Sequence, residues 1–336
     1  MPDELLTSLL RDVSRSFYLT MRALPGAVRR QIAIAYLLAR TTDTVADTEL
    51  VPAESRLEAL SALRQRIMGT SGAALPFSQW PADQTTRAEQ ILLARCEESL
   101  QLLKGLEAAD GRRIREVLDT IISGQELDLK RFAGATAQRI AALETAAELD
   151  DYTYRVAGCV GEFWTRMCRA HLFPQAAIDD ESLLSKGIRF GKGLQLVNIL
   201  RDIPQDLRNG RCYVPRQSLT AANLAPEDLM EAKNETRFRP VYEQFLAIAE
   251  GHLAAGWEYT EMLPRGQMRL RLGCAWPLLI GAGTLRLLQK ENMLDASRRI
   301  KVSRREVHFM RLRSVWLYPW RSAWNGQFKK TLDPCK

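Results

Sequence analysis

The sequence predicts an all-α protein built as a single helical domain. Apolar residues recur at helical spacing along most of its length, alternating runs bounded by turn residues do not recur, and no β-x-β spacing signals a parallel sheet. The periodicity predicts helices over 3–12, 26–47, 53–69, 86–107, 111–131, 136–147, 149–171, 181–206, 226–231, 236–263, 268–290 and 303–317. Taken in order, the breaks set the boundaries. Leu24-Pro25-Gly26 precedes the second helix, and the Gly72–Asp83 stretch with Pro76 and Pro81 follows the third. Phe173-Pro174 closes 149–171, Arg208-Asn209-Gly210 and Val214-Pro215 follow 181–206, and Leu263-Pro264 ends 236–263. None is long enough for a domain linker and no internal repeat is present, so residues 1–317 read as one bundle, with a basic, aromatic tail over 318–336.

Composition narrows the class. A chain of 336 residues with 46% apolar and 26% charged residues buries a substantial core and is not a disordered polymer. Its six cysteines are scattered without a C-x-x-C pair, and its three histidines lie far from any cysteine cluster, which predicts a reduced, cytoplasmic setting and argues against zinc. No basic stretch followed by an apolar run opens the chain, so no signal peptide is expected. No run approaches the roughly 18 apolar residues of a membrane span.

The formal charge of +7 is uneven: between Arg298 and Lys330 ten Lys or Arg face a single acid, Glu306, leaving the remainder slightly acidic. Three readings compete for this segment: a solvated helix, a nucleic-acid patch, and a contact with phosphates or an anionic membrane surface. Trp316, Tyr318, Trp320 and Trp324 interleave with its cations, as in a membrane interface, although Pro319 breaks any single helix and a packed terminal turn fits equally. No nucleic-acid motif accompanies it, so no nucleic acid is expected as a partner.

Two constellations carry chemistry. Tyr36, Arg40, Asp43 and Asp47 follow one another in steps of four, three and four, which places them on one face of one helix. Two carboxylates one turn apart repel unless a cation separates them. A bound Mg²⁺ would do so, and a solvated polar face is the plain alternative for this motif alone. The second constellation decides between them. Gln195, Asn198, Asp202 and Asp206 run in steps of three, four and four through an otherwise apolar segment, where polar groups need a polar cavity. Pro204 lies between the two acids and is expected to kink or end that helix. Two such faces opposed across a bundle would hold metal ions and a diphosphate, with Arg22, Arg40, Arg201 and Arg211 as cationic partners.

At this point the chain resembles the squalene/phytoene synthase family, from about Ser14 to Arg305. Ser14-Arg-Ser16-Phe17 is similar to the family's Ser-x-Ser-Phe opening, and Tyr36 through Asp47 to its first aspartate-rich motif. Tyr152-Thr-Tyr-Arg-Val156-Ala157-Gly158 resembles a Tyr-Cys-x-x-Val-Ala-Gly stretch, with Thr153 where Cys is usual. Gly191 through Asp206 resembles the second aspartate-rich motif, continued by Arg211 and Tyr213, and Gly124 through Leu129 a weaker element.

The resemblance implies an isoprenoid-synthase-type helical bundle around a central cavity that joins two prenyl diphosphates head to head. It implies that Asp43, Asp47, Asp202 and Asp206 bind Mg²⁺ and that Arg40, Arg201 and Arg211 bind phosphate, with Gln195, Asn198 and Tyr213 also at the substrate. Tyr152 would sit by the cyclopropane-forming carbons and Tyr36 by the departing diphosphate, while Val156, Val160, Gly161, Trp164, Gly191 and Leu194 would shape the prenyl channel, each also readable as ordinary core. Squalene is the favoured product, through presqualene diphosphate and a reduction by NADPH. Dehydrosqualene, phytoene and presqualene diphosphate itself are the alternatives, and a non-catalytic assembly factor would lack the aspartates that are present here. Cys274-Ala-Trp-Pro277, Thr284-Leu and Ile300 through Arg305 resemble squalene synthases, which would bring Lys301, Arg304 and Arg305 to an NADPH phosphate. Leu270-Arg-Leu-Gly273 stands where eukaryotic members carry phenylalanines. Gly281-Ala-Gly283 is too short for a dinucleotide fingerprint and reads as close helix packing. A monomer is the favoured assembly, and peripheral membrane contact through the tail stands as one of the readings of that segment.

Overall fold

A computed structural model describes residues 5–14, 17–48, 51–80 and 86–333, so Arg15 and Ser16 of the opening motif lie outside the described residues. The chain divides into two compact units, Met1–Ala133 with Phe163–Gln175 and Gly134–Glu162 with Ala176–Lys336. Both are helical, as the periodicity predicts. No helix among the described residues is long and apolar enough to cross a membrane.

The first unit contains α1 (Leu10–Ser14), α2 (Phe17–Ala23), α3 (Gly26–Asp47), α4 (Ala53–Met68), α5 (Arg87–Ala94), α6 (Cys96–Lys104) and α7 (Ala108–Arg131). Helix α3 is central and packs on α4, α6 and α7 through Ile32, Ile34, Leu37, Leu38 and Val45, all buried. The single helix expected over 86–107 is two. Arg95 breaks it, and its guanidinium grips Glu98 in a fork at 2.7 and 2.8 Å. Beneath α3, buried Asp110 is satisfied by Gln31 Nε2 at 3.2 Å, Arg113 Nη1 at 2.8 Å and His171 Nε2 at 2.9 Å.

The second unit contains α8 (Ala146–Thr153), a π-helical turn over Tyr154–Gly158, and the start of α9 (Cys159–Leu172), whose remainder belongs to the first unit. It continues with α10 (Asp180–Arg208), α11 (Arg216–Ala221), α12 (Glu235–Met262), α13 (Met268–Leu288), α14 (Arg304–Leu317), α15 (Arg321–Asn325) and α16 (Gln327–Leu332). Helix α10 is its axis, lying along α12 and the π-turn. Two glycines make the second contact possible. A Cβ on Gly161 would sit 1.9 Å from the Gly187 carbonyl oxygen, and one on Gly191 would sit 2.1 Å from that of Ala157. The Gly281-Ala-Gly283 segment likewise packs on neighbours, Leu253 for Gly281 and Val302 and Met310 for Gly283.

The helix expected over 136–147 is not formed. Gly210, at φ +76°, ends α10 in a turn whose Cα lies so close to Thr136 that a Cβ would be 2.4 Å from its nitrogen. This brings β1 (Ala141–Ala142) into parallel register with β2 (Arg211–Cys212), Ala141 opposite Arg211. Tertiary pairing overrides the helix preference of alanine, and α8 starts only at its Thr145 cap.

Pro204 does not end α10, which runs on to Arg208. The proline leaves the Leu200 carbonyl without its helical donor, and the buried Tyr242 hydroxyl of α12 donates to that oxygen at 3.1 Å. The tail packs inward rather than trailing. Trp324 and Phe328 are buried and stack on Trp257 with centroids 5.6 and 5.7 Å away.

Candidate active site

In the first unit, burial selects one open face of α3. From Ile32 to Asp47 every side chain is buried except Tyr36, Ala39, Arg40, Asp43 and Asp47. The threonines on the other side bond within the helix, Thr41 to the Leu37 carbonyl at 2.8 Å and Thr44 to that of Arg40 at 2.9 Å. The face left over is therefore the predicted acidic stripe. Arg40 spans two carboxylates: Nη1 bonds Asp43, and Nη2 bonds Glu89 Oε1 at 2.5 Å. Its Nε is buried and has no hydrogen-bond partner among the described residues. Burial opposes the Arg40 charge, but Asp43 and Glu89 outweigh it and push the pKa up. Glu89 was not foreseen. It sits in the first turn of α5, where its Oε2 accepts from Thr86 N at 2.9 Å in a capping box, leaving Oε1 for Arg40. Burial raises the Glu89 carboxyl, but the Thr86 bonds and Arg40 pull it below the usual carboxylate range.

In the second unit, α10 is sorted in the same way. Leu196, Val197, Ile199, Leu200, Ile203 and Leu207 are buried, while Asn198 is exposed and Gln195, Arg201, Asp202 and Asp206 are half-buried on the accessible stripe. Arg201 grips Asp202 in a fork, Nε to Oδ1 at 2.9 Å and Nη2 to Oδ2 at 2.5 Å. Arg299, from the loop before α14, reaches Asp202 Oδ1 at 3.5 Å. It too was not foreseen; Lys301, Arg304 and Arg305, further along the basic run, are exposed.

The short β1–β2 pairing carries two further predicted residues, Arg211 and Tyr213, to α10. Asp206, Arg211 and Tyr213 line one crevice beside Ile199 and Ile203. Tyr213 stacks on Tyr152, centroids 4.9 Å apart and hydroxyls 3.4 Å apart. Tyr152 lies in the last turn of α8, two residues before the π-turn that holds half-buried Val156; such turns recur at functional sites. Leu194 is half-buried near Gly281, and Gly161 serves the contact with Gly187.

Each stripe thus offers paired carboxylates and a guanidinium. No three acidic, His or Cys side chains form a closed cage among the described residues. Mg²⁺ suits that donor set, because it takes one or two carboxylates and fills its other positions with water and phosphate oxygens. Asp43 with Asp47, and Asp202 with Asp206, could each hold such an ion.

Comparisons with known proteins place the chain in a family. The sequence profile described as squalene/phytoene synthase matches residues 10–306. The chain is 31% identical over 277 residues to a presqualene diphosphate synthase of Zymomonas mobilis, covering 82% of this chain and 80% of the relative. It is 27% identical over 310 residues to a 15-cis-phytoene synthase of Synechocystis, covering 89% and 80%. The solved complex of TcSQS with a ligand superposes with a TM-score of 0.75 at 20% identity over the full length of both chains, a likeness of fold. With both aspartate-rich stripes inside the matched region, the chain belongs to the squalene/phytoene synthase family.

Proposed function

We propose that this chain condenses two farnesyl diphosphates head to head into presqualene diphosphate and, with NADPH, carries that product on to squalene. The observation that supports it best is the open stripe of Gln195, Asn198, Asp202 and Asp206 on a helix whose other sides are buried. Mg²⁺, when bound by the four aspartates, supplies charge neutralisation for a departing diphosphate.

The chain's own groups do the rest. Arg40, Arg201 and Arg211 bind phosphate oxygens, with Gln195 and Asn198 donating amide hydrogens beside them. Tyr36, one turn before Arg40, orients the leaving diphosphate. The electron-rich rings of Tyr152 and Tyr213, stacked on one another, would stabilise an allylic cation formed beside them. Half-buried Val156 and Leu194 flank the prenyl chain and exclude water that would quench the cation. The condensation balances as two farnesyl diphosphates giving one presqualene diphosphate, one diphosphate and one proton. Lys301, Arg304 and Arg305 would hold the phosphate of NADPH, which would supply the hydride that, after loss of the second diphosphate and opening of the cyclopropane, gives squalene and leaves NADP⁺. The setting we propose is cytoplasmic, with peripheral contact to a membrane.

Incubating the purified chain with farnesyl diphosphate and Mg²⁺, with and without NADPH, tests the reading. Presqualene diphosphate without NADPH and squalene with it are expected. Presqualene diphosphate under both conditions removes the reductive step, and no consumption of substrate under either removes the transferase.

A further inference from the structure

Helix α14 turns its apolar side to solvent. Its inner side faces α13 with mixed groups: Ser314 Oγ accepts from Trp276 Nε1 at 2.9 Å, the Arg311 guanidinium lies 4.7 Å over the Trp276 ring, and Glu306 pairs with Arg286 at 3.5 Å. The outer side carries Phe309, Leu312, Val315 and Trp316, exposed by 63%, 58%, 42% and 68%, and Trp320 follows beyond the helix end at 53%. Steps of three, three and one put the four helical residues on one face, and the Trp316 and Trp320 rings lie 5.2 Å apart. Contiguous apolar surface of this kind marks a contact. Most of α14 lies beyond the 10–306 covered by the family profile.

The rim of this face is cationic. Arg305 on the helix and Arg321 next to Trp320 are exposed, as are Lys329 and Lys330 on α16, and the segment's one acid, Glu306, is engaged by the Ser303 backbone N–H at 3.0 Å and by Arg286. Next to Trp320 opens a cavity of about 280 Å³ lined by Arg265, Arg271, Arg321, Tyr318 and Trp324, with Glu261 on its wall. Two buried donors of the lining residues, Arg271 Nε and Trp324 Nε1, have no acceptor among the described residues. Glu261 accepts from Trp257 Nε1 at 2.9 Å. The cavity is remote from the acidic stripe of α10. Met262 meets Ser182 at that end (Oγ to Sδ 4.0 Å), and the twenty helical residues from there to Asp202 span about 30 Å.

We propose that the outer face of α14 docks on an anionic phospholipid bilayer, with Phe309, Leu312, Val315, Trp316 and Trp320 entering the interface and the Arg265–Arg271–Arg321 cavity receiving a lipid phosphate. Charge decides the occupant. A second copy meeting this face about a two-fold axis would set one cationic rim against another. An anionic bilayer offers hydrocarbon to the aromatic stripe and phosphate to the rim at the same depth. The proposal does not depend on which reaction the chain performs.

Sedimentation of the full chain with phosphatidylcholine vesicles, with or without phosphatidylglycerol, tests it. Binding about tenfold tighter to the anionic vesicles is expected, weakened by salt and accompanied by a blue shift of tryptophan emission. A triple variant, Phe309→Ser with Leu312→Ser and Trp316→Ser, changes exposed positions only and is expected to keep its melting temperature while losing vesicle binding about a hundredfold. Arg321→Glu is expected to remove the preference for anionic lipid. Equal binding of the triple variant and the parent overturns the proposal. So does a parent that ignores both vesicles, whether it binds inorganic phosphate in solution or forms a dimer that the triple variant dissociates.

Discussion

Arg40 holds two carboxylates at once, and only one of them is near it in sequence. Asp43 is three residues away and emerges from helical spacing, whereas Glu89 comes from another helix and was invisible until the two were packed together. Glu89→Gln keeps the shape but removes the charge that fixes the guanidinium. We expect kcat/KM for farnesyl diphosphate to fall about tenfold, a loss of ~1.4 kcal/mol in transition-state binding. Thr86→Ala removes the helix cap at a cost of about 1 kcal/mol in stability and should leave the kinetics close to the parent's. That contrast separates positioning of Arg40 from mere stability. For the stripes themselves, Asp43→Asn and Asp202→Asn should each lower turnover at least about 100-fold with little change in melting temperature, because both side chains are partly open to solvent. Full turnover in both variants, or turnover indifferent to EDTA, would remove metal-assisted ionisation.

At the scale of the element, the long helices were legible because their apolar periodicity is their packing: the residues sorted inward on α3 and α10 are those the spacing selects. What was not legible depends on partners distant in sequence. The 136–147 segment reads as helix until Gly210 and β2 compete for its backbone, and Pro204 reads as a stop until Tyr242 supplies the missing donor. This last pairing predicts a coupling. Tyr242→Phe leaves the Leu200 carbonyl buried and unpaired, at a cost of about 1–2 kcal/mol, and should loosen the turns that carry Asp206. In a Pro204→Ala background the helix regains its own N–H donor to that carbonyl, so the same substitution should cost less than half as much. Chemical denaturation of the four proteins in the cycle measures the difference, and equal costs in both backgrounds would remove the assigned role.

Across the whole molecule, the sequence reading placed the long helices and the family better than it placed the edges. The excess of cations near the C-terminus was plain from composition, but composition does not say which aromatic rings face inward. The structure divides them: Trp316 and Trp320 stay exposed, while Trp324 joins Phe328 against Trp257 and receives the Arg271 guanidinium 5.6 Å above its ring. The segment after Leu317 therefore belongs to the core of its unit. A chain ended at Leu317 would return Trp257 to water and lose two buried aromatic side chains worth roughly 2–3 kcal/mol each. We expect it to melt about 10 °C below the parent, with the emission of its remaining tryptophans shifted to the red. Trp324→Phe, which keeps a ring in place, should recover most of that loss when introduced into the full chain instead. An unchanged melting temperature for the shortened chain would show that these stacked rings contribute nothing to holding the unit together.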